Sequence, residues 1–196
     1  TRVVNEVENQ TNIRIPLKQL FENPTVEMLV KTMEKGQEQF KLIPHAIEKE
    51  YYHMSSVQQR LYLISQIDDV GTAYNIPFVV RLKGVVDESR LEFALKQMIE
   101  RHEILRTSFV SIQGKDVQKV AEHVEPEILY YDITEDTIES SIKKFVRPFD
   151  LSKAPLIRMG IGRIKRNDLV VMFDMHHMIS DGESMNVFMK EFLAYY

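Results

Sequence analysis

Leu169-Val170-Val171-Met172-Phe173-Asp174-Met175-His176-His177-Met178-Ile179-Ser180-Asp181-Gly182 is the stretch on which the interpretation of this chain turns. Its first seven residues form a short, mostly apolar run of the length and kind that makes a buried strand. Downstream, Met185, Val187, Phe188, Phe192, Leu193 and Tyr195 fall at roughly helical spacing. Ser180 with Glu183 three residues on predicts a capping box at the start of that helix. Two histidines therefore stand at a strand end, and an Asp-Gly stands at a helix mouth. Adjacent side chains on a strand point to opposite faces. Only one of His176 and His177 can face a given cleft, and the other must be packed behind it.

Working back toward the N-terminus, Pro155 to Ile164, a turn at Arg166-Asn167-Asp168 and Leu169 to Met175 predict a hairpin. Residues 135–147 carry Ile138, Ile142, Phe145 and Val146 at helical spacing and end before Pro148. A strand is predicted over Ile128 to Ile133. Thr107 to Ile112 and Val117 to Val124 predict a second hairpin about Gln113-Gly114. Asp87 is the cap of a helix with Leu91, Ala94, Leu95, Met98 and Ile99 on one face. Tyr74 to Leu82 alternates as a strand does. Ser55 with Gln58 forms another capping box, opening a helix through Val57, Leu61, Ile64 and Ile67. Interspersed strands and helices with antiparallel pairs define an α/β class with a mixed sheet.

Residues 1–35 predict a small helical unit. Val3, Val4 and Val7 share a helix face, a polar turn follows at Asn9 to Asn12, and Ile13, Ile15, Leu17, Leu20 and Phe21 come next. Asn23-Pro24 predicts a helix start, with Val26, Leu29, Val30 and Met33 as its stripe. So few residues cannot enclose a core of their own. Residues 36–50 show no sustained period and predict a linker, with Phe40, Leu42 and Ile43 available to pack on a neighbour. A new domain is predicted to begin at Tyr51-Tyr52 and to run to residue 196. Thr1 in mid-helix, and Tyr195-Tyr196 without a helix stop signal, predict a piece of a longer polypeptide.

Composition narrows the function classes. At 196 residues, 44% hydrophobic and 28% charged, the chain is an ordinary globular sequence. A net charge of -4 with no basic stripe argues against a nucleic-acid partner. No apolar run approaches the ~20 residues of a membrane span. The absence of cysteine removes disulfides, thiol nucleophiles and thiolate metal sites, and fits a cytoplasmic setting. A metal held by His176, His177 and Asp181 is disfavoured because the two histidines should diverge.

Three segments, in order, carry a family resemblance. Ser55-Ser56-Val57-Gln58-Gln59-Arg60-Leu61-Tyr62 resembles the Ser-x-Ala-Gln-x-Arg-Leu-Trp motif of condensation domains in nonribosomal peptide synthetases, with Val57 for Ala and Tyr62 for Trp. Arg101-His102-Glu103-Ile104-Leu105-Arg106-Thr107-Ser108-Phe109 resembles the second motif almost residue for residue. His176 to Gly182 resembles the third, His-His-x-x-x-Asp-Gly. Pro16-Leu17 and Leu20 to Val26 are similar to the last helices of a peptidyl carrier domain, whose phosphopantetheine attachment serine is absent from this chain.

That resemblance implies a chloramphenicol-acetyltransferase-like two-layer α/β sandwich, of which residues 51–196 are the N-terminal, donor-side half. The C-terminal half of the condensation domain lies outside the chain, and the fragment alone is expected to be inactive. The implied reaction is amide formation between two carrier-bound thioesters, with phosphopantetheine delivered on upstream and downstream carriers and an adenylation domain adjacent. His177 is the expected base or positioner of the attacking amine, since a neutral imidazole with an ordinary pKa near 6.5 can take its proton. His176 is assigned to loop structure, and Gly182 to close approach of the thioester arm. Asp181 is assigned to a scaffold ion pair with an arginine, either Arg60 or Arg106 within this half or a partner elsewhere. No metal and no covalent acyl-enzyme are implied. An epimerisation domain shares the His-His motif and competes with this assignment, as do a catalytically silent docking module and a free-standing acyltransferase.

Overall fold

The computed structural model describes residues 2–11, 13, 15–35, 44, 46–67 and 70–196. The chain divides into two compact units, Thr1–Glu48 and Lys49–Tyr196.

The first unit holds α1 (Arg2–Thr11), α2 (Leu17–Glu22) and α3 (Val26–Lys35). Val4 and Ile15 are its buried apolar residues among those described, whereas Val3, Leu17, Phe21, Val26 and Val30 are exposed. The polar run at Asn9 to Thr11 continues α1 instead of breaking it, and Asn12 lies outside the described residues. Asn23 ends α2 as its C-cap. The start of α3 is fixed by Thr25, whose hydroxyl accepts the Met28 amide at 3.3 Å. Thr25 therefore takes the capping role that the sequence assigns to Asn23-Pro24. Phe40, Leu42 and Ile43 lie outside the described residues.

The second unit is built on a four-stranded sheet ordered β2 (Asn75–Lys83), β7 (Asp168–His176), β6 (Ile157–Lys165), β5 (Glu127–Asp132). β7 runs antiparallel to both its neighbours, and β5 is parallel to β6. Parallel neighbours need a crossover, which a turn of 3₁₀ helix (Glu135–Thr137) and α6 (Ile138–Phe145) supply. A smaller sheet, β1 (Tyr52–His53), β4 (Lys115–Val120), β3 (Thr107–Ile112), includes the expected hairpin. Gln113 and Gly114 at its turn have φ of 51° and 75°, the left-handed pair of a type I′ turn.

Every residue of β7 is buried because both faces are covered. On one face Val171, Phe173 and Met175 join the main core with Leu91, Leu95, Met98 and Ile99 of α5 (Glu88–Arg101) and Phe188 and Phe192 of α7 (Gly182–Tyr195). On the other, Val170 and Met172 pack with Phe145 of α6 and Ile133. Glycine in β6 lets α6 come this close. A Cβ at Gly160 would stand 2.7 Å from Met172 Cε and 3.1 Å from the Phe145 ring. The α5 stripe is buried as its spacing predicts, and Asp87 caps it by accepting from Arg90 N at 3.3 Å.

In α4 (Ser56–Ile67) the expected stripe is not the buried one. Val57, Ile64 and Ile67 are exposed, and Tyr62 is the residue that enters the core. The capping box at its start forms as expected, Gln58 N to Ser55 Oγ at 3.2 Å and Ser55 N to Gln58 Oε1 at 2.9 Å.

Candidate active site

The turn after β7 is held from its backbone outward. His176 N donates to Leu156 O at 3.0 Å and His177 N to Tyr74 O at 2.8 Å. The Ile179 amide and the Ser180 hydroxyl both donate to His176 O, at 3.0 and 3.2 Å. Ser180 is thereby spent inside the turn and buried. The helix cap passes to the next residue: Asp181 accepts from Ser184 N at 2.8 Å and from Ser184 Oγ at 2.6 Å. The expected Ser180–Glu183 capping box is replaced by this Asp181–Ser184 cap, because the Ser180 hydroxyl has a nearer acceptor behind it.

The two histidines divide as a strand end requires. His176 is 6% exposed, while His177 is exposed. His176 Nδ1 accepts the Met178 amide at 3.1 Å, which leaves its proton on Nε2. Burial, with His177 adding to it, pushes its pKa down to about 4, so the ring is neutral near pH 7. It meets Phe149 edge-on at 6.1 Å and Tyr74 at 6.4 Å.

The first motif reaches this turn through Gln58. Its Nε2 donates to Met178 O at 3.2 Å while its Oε1 closes the α4 capping box. Both ends of one side chain thus fix the helix start and the histidine turn together. No sequence signal distinguishes that second bond from a plain capping glutamine.

Neither arginine expected as the partner of Asp181 within this half is placed there. Arg106 turns instead to backbone carbonyls, donating to Ile99 O at 3.1 Å and Ala121 O at 2.6 Å, and so ties the end of α5 to the residue just past β4. The Arg60 side chain is exposed and makes no hydrogen bond or ion pair among the described residues. Ser184, through its hydroxyl and amide, holds the Asp181 carboxyl below the usual carboxylate range. Gly182 opens α7; a Cβ there would meet no atom within 4 Å, so the fold itself does not demand glycine. In the second motif, His102 Nε2 lies 2.7 Å and Arg101 Nε 3.0 Å from Glu191 of α7. Glu103 contributes its carbonyl, which accepts from the Thr107 hydroxyl at 2.7 Å.

Two cavities flank the turn. One of about 370 Å³ lies between α5 and α7 and is lined by Met98, His102, Met175, Ile179 and Asp181 among others. The other, of about 400 Å³, has residues of all three motifs in its wall: Tyr62, Phe109 and His176, facing Phe149. His177 lines neither. Among the described residues no group of three or more His, Asp or Glu is arranged to hold a metal, and no helix is long and apolar enough to cross a membrane.

A buried polar cluster also stands behind the turn, and sequence reasoning missed it. Asp174 and Arg158, paired across β7 and β6, are 0% and 2% exposed. Asn75 Nδ2 donates to Asp174 Oδ2 at 2.7 Å, and Arg158 Nη1 lies 3.8 Å from the same oxygen. Burial raises the Asp174 pKa to about 6 against the pull of Asn75 and Arg158. Nothing in a single sequence says that these two charged residues, on neighbouring buried strands, will face one another.

A mixed sheet with a histidine pair at the end of its buried strand defines an α/β fold that solved structures share. The X-domain from teicoplanin biosynthesis matches with a TM-score of 0.70 at 23% identity, over 78% of this chain and 33% of its own. The starter condensation domain of the rhizomide synthetase RzmA matches with a TM-score of 0.67 at 19% identity, over 76% of this chain and 38% of its own. The sequence profile of the condensation domain matches residues 48–196, and the chain belongs to that family. It is 42% identical to bacitracin synthase 3 of Bacillus licheniformis over 97% of its length, and 42% identical to gramicidin S synthase 2 of Brevibacillus brevis over 96%. It spans only 3% and 4% of those two relatives.

Proposed function

We propose that this chain supplies the histidine-bearing half of a peptide-bond-forming condensation domain in a nonribosomal peptide synthetase. The observation that carries it is the exposed His177 at the end of a wholly buried strand, backed by a neutral, packed His176, in a chain of the condensation family. In this reading an acceptor α-amine attacks the donor thioester carbonyl. A C–N bond forms, the C–S bond breaks, and the amine proton leaves through His177 while the departing thiolate is reprotonated. General-base help of this kind is worth ~10²–10⁴ in rate, and holding two thioesters in register supplies a comparable share.

Residues 1–35 are then the closing helices of a carrier domain, 36–50 its linker and 51–196 the donor-side half. The C-terminal half completes the site. Phosphopantetheine arrives on the upstream and downstream carriers without being attached in this chain, and an adenylation domain is adjacent. The setting is cytoplasmic. Gly182, open above its Cα, suits close passage of a pantetheine arm.

The test loads the upstream and downstream carriers of the full-length polypeptide with two aminoacyl thioesters and follows the products by mass and chirality. A dipeptidyl thioester on the downstream carrier supports the proposal. Donor inversion without condensation would make the domain an epimerase, and no product with intact loading would make it a docking module.

A further inference from the structure

Asp174 and Arg158 lie buried between the central strands β7 and β6, with Glu127 of β5 in register beside them and 3.7 Å from Arg158 Nε, and a buried ion pair of this kind is a poor source of stability. The cluster is also incompletely satisfied: Asp174 Oδ1, Asn75 Oδ1 and Arg158 Nε have no hydrogen-bond partner among the described residues. Buried polar atoms left in that condition ask for a reason other than core stability.

The contacts of Arg158 show where its constraint is delivered. Its guanidinium donates to Arg147 O at 3.0 Å and Pro148 O at 3.3 Å. The Asn75 amide donates to the same Arg147 carbonyl at 3.0 Å. The segment leaving α6 is thus pinned by its backbone. The guanidinium carbon then stands 3.6 Å from the centre of the Phe149 ring. The edge contact between Phe149 and His176 is nearly perpendicular, at 84°. His176 in turn receives the Met178 amide. A continuous run of contacts therefore leads from the buried pair, through one aromatic ring, to the turn that presents His177.

We infer that Arg158 and Phe149 are positioning residues for the reaction: the guanidinium clamps the Phe149 ring, and that ring fixes the plane of His176 so that its Nδ1 stays aimed at the Met178 amide. This rests on the proposed role of His177, but it makes a separate structural claim. A reacting group displaced by about 1 Å can lose ~10² in rate, so a small rotation of His176 would be felt at its neighbour. A lysine at 158 could not hold two carbonyls and lie flat on a ring at once.

The experiment compares Phe149→Leu with Phe149→Tyr in the full-length polypeptide. Phe149→Leu keeps an apolar side chain but removes the face that Arg158 covers and the edge that His176 meets. It should slow single-turnover condensation by about tenfold or more with the apparent KM of both thioesters unchanged, and should speed hydrogen exchange of the Met178 amide. Phe149→Tyr keeps the ring and should restore both readouts. Unchanged rate and exchange in Phe149→Leu would overturn the inference, and so would equal loss in both variants. If the wild-type polypeptide makes no dipeptide, the proposed function fails, and exchange at Met178 still decides the positioning claim alone.

Discussion

Replacing Phe173 by leucine tests what holds the histidine turn at both ends. Phe173 lies on β7, three residues before His176, and is 2% exposed. Its ring stacks on Phe78 at 4.7 Å and meets Phe192 and Phe188 edge-on at 5.1 and 5.4 Å. Phe192 and Phe188 belong to α7, so this cluster joins the strand before the turn to the helix after it. Leucine retains most of the apolar burial, and the loss falls mainly on the ring pairs. At ~0.5–1.5 kcal/mol per aromatic pair, three pairs give a destabilisation of about 2–4 kcal/mol, overlapping the low end of the ~3–5 kcal/mol of a full Phe→Ala truncation.

Urea unfolding should show that loss as a lower midpoint with an unchanged slope. Thermal unfolding should show a fall of roughly 5–15 °C, at ~2–4 °C per kcal/mol for a domain of this size. The control is Phe93→Leu, 53% exposed, which should stay within ~0.5 kcal/mol. Adding Phe188→Leu closes a double-mutant cycle whose coupling should be about 0.5–1.5 kcal/mol. A loss below about 1 kcal/mol in Phe173→Leu, or zero coupling, would refute the idea that aromatic contacts fasten β7 to α7.

Two other substitutions follow from the polar groups around the turn. The folded state holds a proton on Asp174 up to about pH 6, where an unfolded aspartate loses it near ~3.9, so this group alone makes stability fall as pH rises through that window. His176 works the other way: its folded pKa near 4 lies below the ~6.5 of the unfolded chain, so its contribution is present above that and is lost as pH falls. The slopes oppose, each at most ~1.4 kcal/mol per pH unit. Asp174→Asn should therefore gain stability relative to wild type as pH is raised from about 4.5 to 5.5, and a pH-independent difference in urea midpoints would contradict it. Asp181→Asn should melt with the wild type, since asparagine caps as well as aspartate, whereas Asp181→Ala should melt about 2–4 °C lower. A large loss in the asparagine variant would restore the ion pair that Arg60 and Arg106 do not make.

Much of this architecture is legible in the amino-acid sequence, and the reasons differ by element. The α5 stripe from Leu91 to Ile99 and the Gln113-Gly114 turn depend on periodicity and backbone preference, which are local properties. The same holds for the Ser55–Gln58 capping box. The division of labour between His176 and His177 needs only strand alternation and the end of the strand between them: His176 is the last residue of a strand covered on both faces, and His177 lies just beyond it. What sequence does not decide are the choices that tertiary neighbours make. Ser180 and Asp181 are both good caps, and only the position of His176 O selects the second. In α4 an aliphatic stripe has the spacing of a core face, yet Tyr62 is the residue that enters the core. Arg158 and Asp174 meet through strand register, and the close approach of α6 to Gly160 depends on packing. Neither leaves a mark at the level of pattern.

The proposed function rests on participation of the exposed imidazole at the turn in the amide-forming step. It is tested most directly by measuring single-turnover dipeptide formation in the full-length polypeptide carrying His177→Ala, with both carriers verified as loaded. Because His177 is exposed and its backbone bond to Tyr74 survives the substitution, the unfolding midpoint should not move. The rate should fall by about 10²–10⁴ at unchanged loading and stability. A rate within about threefold of wild type, far inside that range, would contradict it.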